Sequence, residues 1–140
     1  MFMPYSPLLI KPFREELTES GVTELITADS VDTFMKNPKG VDMVVMNSVC
    51  GCAAGMARPA VRLALENNKK PTRVATVFAG QDLEATARMR SYFADIPPSS
   101  PSIAIFKDGE LVYFIPKHRI ESRDAHAVAQ DLISAFEEFC

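Results

Sequence analysis

Two cysteines, Cys50 and Cys52, are separated by a single residue, Gly51. Thiols at this spacing can exchange disulfides with another molecule or bind a soft metal ion. The third cysteine is Cys140. An odd number of cysteines without an apparent export signal does not describe a disulfide scaffold, because the cytosol keeps ordinary thiols reduced. The Cys-Gly-Cys pair is therefore the first candidate site.

The pair is predicted to lie where a buried strand meets a helix. Residues 42–48 (DMVVMNS) form a nearly continuous apolar run, typical of a strand buried on both faces. After the pair, small and apolar residues recur at helical spacing: Ala53, Met56, Ala57, Ala60, Val61 and Ala64. Cys50 then lies in the first helical turn, where unpaired N–H groups and the helix dipole favour the thiolate and lower the thiol pKa.

A lowered pKa makes Cys50 suited to reversible exchange. A drop of one unit from an unperturbed thiol pKa of about 8.5 raises the thiolate fraction at pH 7 about eightfold, and a low-pKa thiol is also a good leaving group. A Cys50–Cys52 disulfide would close a tighter ring than a Cys-X-X-Cys site, which predicts a more oxidising pair. Gly51 allows the backbone the conformation that this ring requires.

Two other interpretations of the pair remain open. In one, Cys50 and Cys52, with Cys140 or His118, hold a soft metal ion in a binding module without turnover. In the other, the cysteines are inert small residues that open an alanine-rich helix. Redox chemistry is favoured, because two of the three cysteines fall at the junction where a thiol pKa is lowered.

The rest of the chain predicts alternating helices and strands that end in a hairpin. Asp108-Gly109 joins the two hairpin strands, and Pro59 is expected to bend the helix after the cysteines. Asp29 or Ser30 and Asp82 are the predicted helix caps. Besides the helix after the cysteines, helices are predicted over residues 12–20, about 29–37, 82–93 and 122–140, and strands over 22–27, 42–48, 73–79, 103–107 and 111–115.

This order predicts an α/β fold. Its mixed central sheet has about five strands, three in parallel βαβ units and two in a C-terminal antiparallel hairpin, with helices on both faces. With 140 residues and 47% hydrophobic content, residues 1–140 are expected to form one domain.

The composition also predicts where the protein works. A formal net charge of -3 without blocks of like charge argues against a nucleic-acid partner. No basic segment and cleavage site suggest export, and no apolar run is long enough to span a membrane. We therefore expect a soluble, cytoplasmic protein.

Two motifs, NSVCGCAAGMARPA and SSPSIAIFKDGELV, carry a resemblance to known proteins. The chain resembles the thioredoxin superfamily over essentially its whole length, and more narrowly the bacilliredoxin family of small bacterial proteins with a Cys-Gly-Cys site. The resemblance implies a thiol–disulfide oxidoreductase in which Cys50 accepts a low-molecular-weight thiol, such as bacillithiol, from S-thiolated cytosolic proteins. Cys52 would then resolve the mixed disulfide.

The resemblance also implies disulfide-isomerase activity on disulfide-containing proteins as an alternative. It requires no bound cofactor and no metal; the low-molecular-weight thiol is a co-substrate. Pro101 is implied to be a cis-proline that faces the cysteines, with the backbone of Ser100 available to pair with an extended substrate. From sequence alone trans is the default, because only about 5 to 6% of X–Pro bonds in folded proteins are cis.

One departure from thioredoxins concerns proton transfer. Val44 stands where thioredoxins bury an acid beneath their cysteines. The nearest polar residues that would replace it are Asn47 and Ser48. The alternative is that these two side chains only complete local hydrogen bonds at the strand end.

Other candidate residues are assigned less specific roles. Arg58 and Arg62 lie one helical turn apart and would either hold an anionic thiol or, as we expect, form a solvated face with Glu66. His118 and His126 lack metal-ligand spacing and are expected in surface or loop positions. Cys140 is left without an assigned role.

Overall fold

Five strands form one mixed sheet in the computed structural model, which describes residues 5–140. The strands are β1 (Thr23–Glu24), β2 (Val41–Asn47), β3 (Arg73–Phe78), β4 (Ser102–Lys107) and β5 (Glu110–Ile115), in the order β1-β3-β2-β4-β5. β1, β3 and β2 are parallel, whereas β4 is antiparallel to β2 and β5 is antiparallel to β4. The predicted mixed sheet is confirmed.

Helices cover both faces of this sheet. They are α1 (Pro7–Thr18), α2 (Ala28–Met35), α3 (Arg58–Ala64), α4 (Leu83–Ser91), α5 (His118–Glu121) and α6 (Ala125–Phe139), and a π-helical turn (Ala53–Ala57) leads into α3. α3 and α6 share one apolar core with the sheet, and α2 and α4 share the other. Within residues 5–140, no helix is both long and apolar enough to cross a bilayer.

β2 is buried on both faces, as its apolar run predicts. Successive side chains of a strand point to opposite faces. Val41, Met43 and Val45 therefore pack into the core that contains α3 and α6, whereas Val44 and Met46 pack into the core that contains α2 and α4. By the same alternation, Asn47 points to the side of α3 at the end of the strand.

One edge of the sheet gathers the chain segments around the cysteines. The parallel strands β2 and β3 end at this edge, and Ser102, which begins β4, pairs there with Met46. The Ser100–Pro101 peptide bond just before β4 is cis, as the resemblance implies. β5 also ends at this edge, because Ile115 pairs with Ile103. Cys50, Pro101 and Lys117 thus follow or precede strands that meet at one edge.

The first helix is longer than the sequence predicts. α1 begins at Pro7, so Pro12 lies inside the helix and not at its start. Ile10 and Leu17 are buried and lie two turns apart, which gives the helix one apolar face. The prediction that the helix stops at Gly21 is consistent with the structure, because Gly21 adopts a positive φ of 87° after the last turn.

Two of the predicted caps are wrong. The side chain of Thr27 caps α2 by accepting the N–H of Ser30 at 3.1 Å, and the Ser30 hydroxyl accepts the N–H of Thr27 in return. The strand predicted over residues 22–27 is shorter in the structure, where β1 covers only Thr23–Glu24 and Thr27 already caps α2. Asp82 precedes α4 but its carboxylate makes no cap, because it binds Arg14 of α1 at 2.8 and 2.9 Å.

The C-terminal elements largely follow the prediction. Asp108 and Gly109 both have positive φ, 51° and 85°, which is the conformation of a tight two-residue hairpin. The terminal helix α6 begins at Ala125 and is capped by Asp124, whose carboxylate accepts the N–H of Ala127 at 2.8 Å. The short helix α5 before it was not predicted.

Replacing Gly21 with alanine tests the backbone requirement after α1. A Cβ at Gly21 meets no atom within 4 Å, so any loss of stability reports the strained φ and not a clash. We expect Gly21→Ala to lower the free energy of unfolding by about 1 to 2 kcal/mol. Gly55→Ala is the matched control: its Cβ also meets open space without a positive φ, and it should raise stability by about 0.5 to 1 kcal/mol. Urea denaturation measures both, and equal effects would contradict the argument.

Candidate active site

Cys50 lies at the start of the helix that leaves β2. Its carbonyl accepts the N–H groups of Ala53 at 3.0 Å and Ala54 at 3.3 Å, and the chain is helical from Gly51 onward. The backbone N–H of Cys52 points at the sulfur of Cys50, with 3.4 Å between nitrogen and Sγ. The predicted position of this thiol in the first turn of a helix is therefore confirmed.

The helix changes its hydrogen-bond pattern between the cysteines and Pro59. Residues Ala53–Ala57 form a π-helical turn, in which the N–H of Arg58 donates to the carbonyl of Ala53. Pro59 follows as the second residue of α3. Because proline has no N–H to donate, the widened turn occurs directly before the position where a regular helical bond is lost. The sequence predicts a bend at Pro59, and the structure shows a π-helical turn directly before it.

The two thiols differ in exposure and in proton affinity. Cys50 is partly exposed and Cys52 is buried, and both are free. Donation from the Cys52 thiol lowers the pKa of Cys50, and the N–H groups of Cys52 and Ala53 and the charge of Lys117 act in the same direction, whereas burial opposes them. Burial raises the pKa of Cys52 to about 11, and its hydrogen bond to Cys50 and the charge of that thiolate add to the effect.

These opposite shifts make the two sulfurs chemically different. The thiolate, not the thiol, attacks disulfides. As the pH rises, Cys50 becomes the thiolate first, and Cys52 keeps its proton while it donates to Cys50. The pair can therefore present one nucleophile to a disulfide and hold a second thiol in reserve beside it.

Arg58 lies in the protein interior, and the predicted solvated face is wrong for this residue. Its side chain is only 1% exposed, and its guanidinium lies over the ring of Phe13 at 4.8 Å. Nε donates to a carboxylate oxygen of Glu16 at 2.7 Å, and one terminal nitrogen donates to Asn47 Oδ1 at 2.9 Å and to the Ser48 carbonyl at 2.8 Å. Tertiary packing of α1 covers this face.

Arg62 lies one turn further along α3, where the cover of α1 ends. Its side chain is 53% exposed, and its guanidinium is 3.8 Å from Glu16. The solvated interpretation fits this residue. A spacing of four residues places both arginines on one side of the helix. The structure nevertheless buries Arg58 and leaves Arg62 exposed.

Asn47 and Ser48 complete hydrogen bonds at the strand end. The Asn47 amide donates to the Phe13 carbonyl at 3.2 Å, and its Oδ1 accepts the N–H of Ser48 at 2.8 Å. The Ser48 hydroxyl accepts the N–H of Cys50 at 3.1 Å. Both side chains are thus engaged in fixing the backbone before Cys50, in addition to the bond that Asn47 receives from Arg58.

Ser100 and Pro101 lie at the same edge of the sheet as the cysteines. Pro101 is buried and Ser100 is partly exposed. The preceding residue, Ser99, holds this segment: its hydroxyl accepts the N–H of Lys117 at 3.3 Å, and its carbonyl accepts the Ser102 hydroxyl at 2.9 Å. The loop that carries Ser100 and Pro101 is therefore tied to the chain after β5.

Lys117 is a functional candidate that the sequence analysis missed. It directly precedes α5, which packs against the π-helical turn after the cysteines. Its charge lowers the pKa of both Cys50 and Cys52. The sequence does contain a signal for this residue: Lys117 is a cation that follows β5 closely, and β5 ends at the edge of the sheet where the cysteines lie.

The other titratable candidates lie away from the pair or are exposed. His118 and His126 are exposed, as predicted. Cys140 ends α6, and the charges nearest its thiol include Lys107, which pairs with Val41 at the opposite end of β2. Across residues 5–140, no three His, Cys, Asp or Glu side chains form a cluster suited to a metal ion. Gly51, between the cysteines, is exposed.

Comparisons with known proteins find similar sequences that cover almost the whole chain. Residues 5–140 match the family described as disulphide isomerase. The chain is 50% identical to a bacilliredoxin of Halalkalibacterium halodurans over 97% of this chain and 94% of the relative, and 51% identical to a bacilliredoxin of Cytophaga hutchinsonii over 96% and 98%.

Solved structures show the same fold at low sequence identity. The thioredoxin of Fasciola hepatica superposes with a TM-score of 0.57 at 22% identity, covering 82% of this chain and 99% of that one. Mitochondrial thioredoxin 3 of Saccharomyces cerevisiae superposes with a TM-score of 0.58 at 13% identity, covering 85% and 96%. The fold is thus the thioredoxin fold that the resemblance implies.

The opposite pKa shifts predict selective alkylation of the pair. With a pKa of about 11, Cys52 is only about 0.1% thiolate at pH 8. Iodoacetamide at pH 7 to 8 should therefore modify Cys50 well before Cys52. Peptide mass spectrometry of a Cys140→Ala variant measures both rates. Equal rates at pH 7 would contradict the assignment.

Removing the charge of Lys117 tests its electrostatic role. Lys117→Gln should raise the pKa of Cys50 and slow its alkylation at pH 7 by about 1.5- to 5-fold, the range typical of exposed charges. Lys36→Gln is the matched control, because Lys36 also pairs with an acid four residues away at 4.0 Å but lies just before β2, at the opposite edge. The difference between the variants should shrink at high salt, which screens exposed charges.

Proposed function

Since the chain belongs to the bacilliredoxin family and is a thiol–disulfide oxidoreductase, we propose that it removes a low-molecular-weight thiol of the bacillithiol type from S-thiolated cytosolic proteins. Cys50 is the attacking thiol and Cys52 is the resolving thiol. The observation that carries this proposal is the difference between the two sulfurs: Cys50 is partly exposed and accepts backbone donation, whereas Cys52 is buried beside it.

The first step is attack on the mixed disulfide of the substrate protein. The Cys50 thiolate forms a bond to the sulfur of the low-molecular-weight thiol, and the bond between that sulfur and the protein cysteine breaks. The electron pair of the broken bond leaves with the protein cysteine, which departs as a thiolate and takes up a proton from water. Cys50 now carries the low-molecular-weight thiol as a mixed disulfide.

The same step prepares Cys52 for the next one. Two of the causes that raise the pKa of Cys52 are its hydrogen bond to Cys50 and the charge of the Cys50 thiolate. Both depend on the thiolate, and the charge disappears when Cys50 enters a disulfide. Formation of the mixed disulfide therefore lowers the pKa of Cys52 and releases a nucleophile that was held back before.

Resolution forms the disulfide within the pair. The Cys52 thiol gives its proton to solvent and attacks Cys50 Sγ, and the low-molecular-weight thiol leaves as a thiolate. The substrate disulfide is reduced and the pair is oxidised, so electrons balance. A further turnover requires a reductant of the thiol class, either two molecules of a low-molecular-weight thiol or one dithiol protein.

Substrate contact is proposed at the loop before β4. Ser100 is partly exposed at the edge of the sheet where Cys50 lies, and Ser99 fixes the loop through bonds to Lys117 and Ser102. A pre-positioned backbone segment suits pairing with an extended peptide that carries the thiolated cysteine. The charge of Lys117 would additionally favour a thiol that bears carboxylates.

A second candidate function is isomerisation of protein disulfides. The matching family description, disulphide isomerase, favours it. The same Cys50 thiolate would attack a disulfide between two protein cysteines, and the substrate's own thiol, not Cys52, would release the enzyme. The two functions therefore differ in their dependence on Cys52.

Trapping experiments test the proposed roles. After incubation with a protein S-thiolated by bacillithiol, Cys52→Ala should accumulate a mixed disulfide between Cys50 and bacillithiol, because the resolving thiol is absent. Cys50→Ala should remain unmodified at residue 52, because Cys52 is buried, and burial, the largest cause of its raised pKa, does not depend on Cys50. Intact-mass spectrometry without reductant detects the adducts.

Cys140→Ala is the control in this experiment, and it should dethiolate the substrate at the rate of the unaltered protein. Refolding of a scrambled disulfide protein separates the alternative function. An isomerase should keep most of its activity in Cys52→Ala. In the dethiolation reaction without added reductant, the same variant should release no free low-molecular-weight thiol, because only Cys52 can displace it from Cys50. A mixed disulfide found on Cys52 and not on Cys50 would reverse the assignment.

A further inference from the structure

Arg58 is a large, fully buried and charged side chain close to the cysteines, and the reaction steps above do not use it. It lies on the helix that Cys50 begins, eight residues further along the chain. Its side chain is 1% exposed, and its partners come from α1 and from the end of β2. A buried guanidinium in such a position costs free energy unless it is well paired, so its placement requires an explanation.

A continuous set of hydrogen bonds connects Arg58 with the backbone of Cys50. The guanidinium holds both Asn47 Oδ1 and the Ser48 carbonyl, at 2.9 and 2.8 Å. Asn47 Oδ1 in turn accepts the N–H of Ser48, and the Ser48 hydroxyl accepts the N–H of Cys50 at 3.1 Å. Three of these four bonds fix a backbone group of Ser48 or Cys50, in the three-residue junction between β2 and the active-site helix.

We propose that Arg58 is a positioning residue that holds this junction so that the sulfur of Cys50 lies against the backbone N–H of Cys52. The proposal rests on the proposed role of Cys50 as the attacking thiol. Arg58 does not touch the sulfur; it acts through Asn47 and Ser48. Loss of its bonds would let the junction relax and lengthen the contact between Cys50 Sγ and the N–H of Cys52, which is 3.4 Å between heavy atoms.

The geometry requires the guanidinium group. Nε faces Glu16 while a terminal nitrogen faces two acceptors at the strand end, so three bonds diverge from one planar group. A lysine ammonium is a single nitrogen and cannot occupy both positions. Arg58→Lys therefore keeps the positive charge but loses at least one of the three hydrogen bonds.

Two residues of α1 also belong to this set of hydrogen bonds. Glu16 and Phe13 are both on α1; Glu16 supplies the carboxylate, and the carbonyl of Phe13 accepts the Asn47 amide. Glu16 is the acid that pairs with the buried Arg58, and its own side chain is 23% exposed. Glu16→Gln keeps an oxygen for Nε while removing the charge, so it perturbs the set with little change in shape.

The test measures thiolate reactivity and not only stability. The rate of Cys50 alkylation by iodoacetamide, followed from pH 5 to pH 10 in a Cys140→Ala background, gives the midpoint of Cys50 ionisation. Arg58→Lys should move this midpoint upward and lower the rate at pH 7 by about 3- to 10-fold, as expected for loss of one hydrogen bond to the sulfur. Glu16→Gln should move it in the same direction by less, and Glu16→Ala, which also removes the oxygen that Nε binds, should move it further than Glu16→Gln does.

Arg73→Lys is the matched control. Arg73 also pairs with a carboxylate at 2.7 Å, donates to a backbone carbonyl and lies over a phenylalanine ring, but it binds Asp42 at the opposite end of β2. A lysine there should destabilise the fold by a similar mechanism while leaving the midpoint of Cys50 unchanged. Urea denaturation of each variant establishes that it is folded at the assay pH.

The outcomes separate this inference from the proposed function. If Arg58→Lys and both Glu16→Gln and Glu16→Ala keep the unaltered midpoint, or if Arg73→Lys moves it equally, the positioning role is wrong even where dethiolation proceeds normally. If Arg58→Lys does not fold, the two Glu16 variants decide in the same way. Conversely, the midpoint can respond to Arg58 in a protein that does not dethiolate, because iodoacetamide needs no physiological substrate.

Discussion

The backbone bonds on either side of Cys50 are the constraint on which the site depends. Its N–H donates to the Ser48 hydroxyl, and its carbonyl accepts Ala53 and Ala54. These bonds end a fully buried strand and start a helix within three residues. The sulfur then lies against the N–H of Cys52, where a negative charge is stabilised. The chemistry of the pair follows from this turn of the backbone.

Burial then makes the two sulfurs unequal. Cys52 is 8% exposed and its pKa is raised, whereas Cys50 reaches the surface and its pKa is lowered. No carboxylate is needed for this difference. Val44 is fully buried on β2, and the buried acid of that strand, Asp42, is held by Arg73 at the opposite end. Transfer of the Cys52 proton to solvent is consistent with this arrangement.

Much of the fold and of the site could be predicted from local sequence patterns. The apolar run of β2, the helical spacing after Cys52 and the Asp108-Gly109 turn each depend on neighbours within a few residues. The errors have a common cause. Arg58 was placed on a solvated face and Asp82 in a helix cap, but α1 covers the first and its Arg14 binds the second. Both depend on a helix that is distant in sequence.

The sequence by itself therefore determined the reactive pair and its position between a strand and a helix, because spacing and hydrophobic periodicity are local properties. The tertiary structure alone decided which charged side chains are buried and which groups meet at the edge of the sheet where the cysteines lie. Arg58 and Glu16 are 42 positions apart in the chain yet form an ion pair at 2.7 Å. Such contacts arise from packing of whole elements, and no local pattern encodes them.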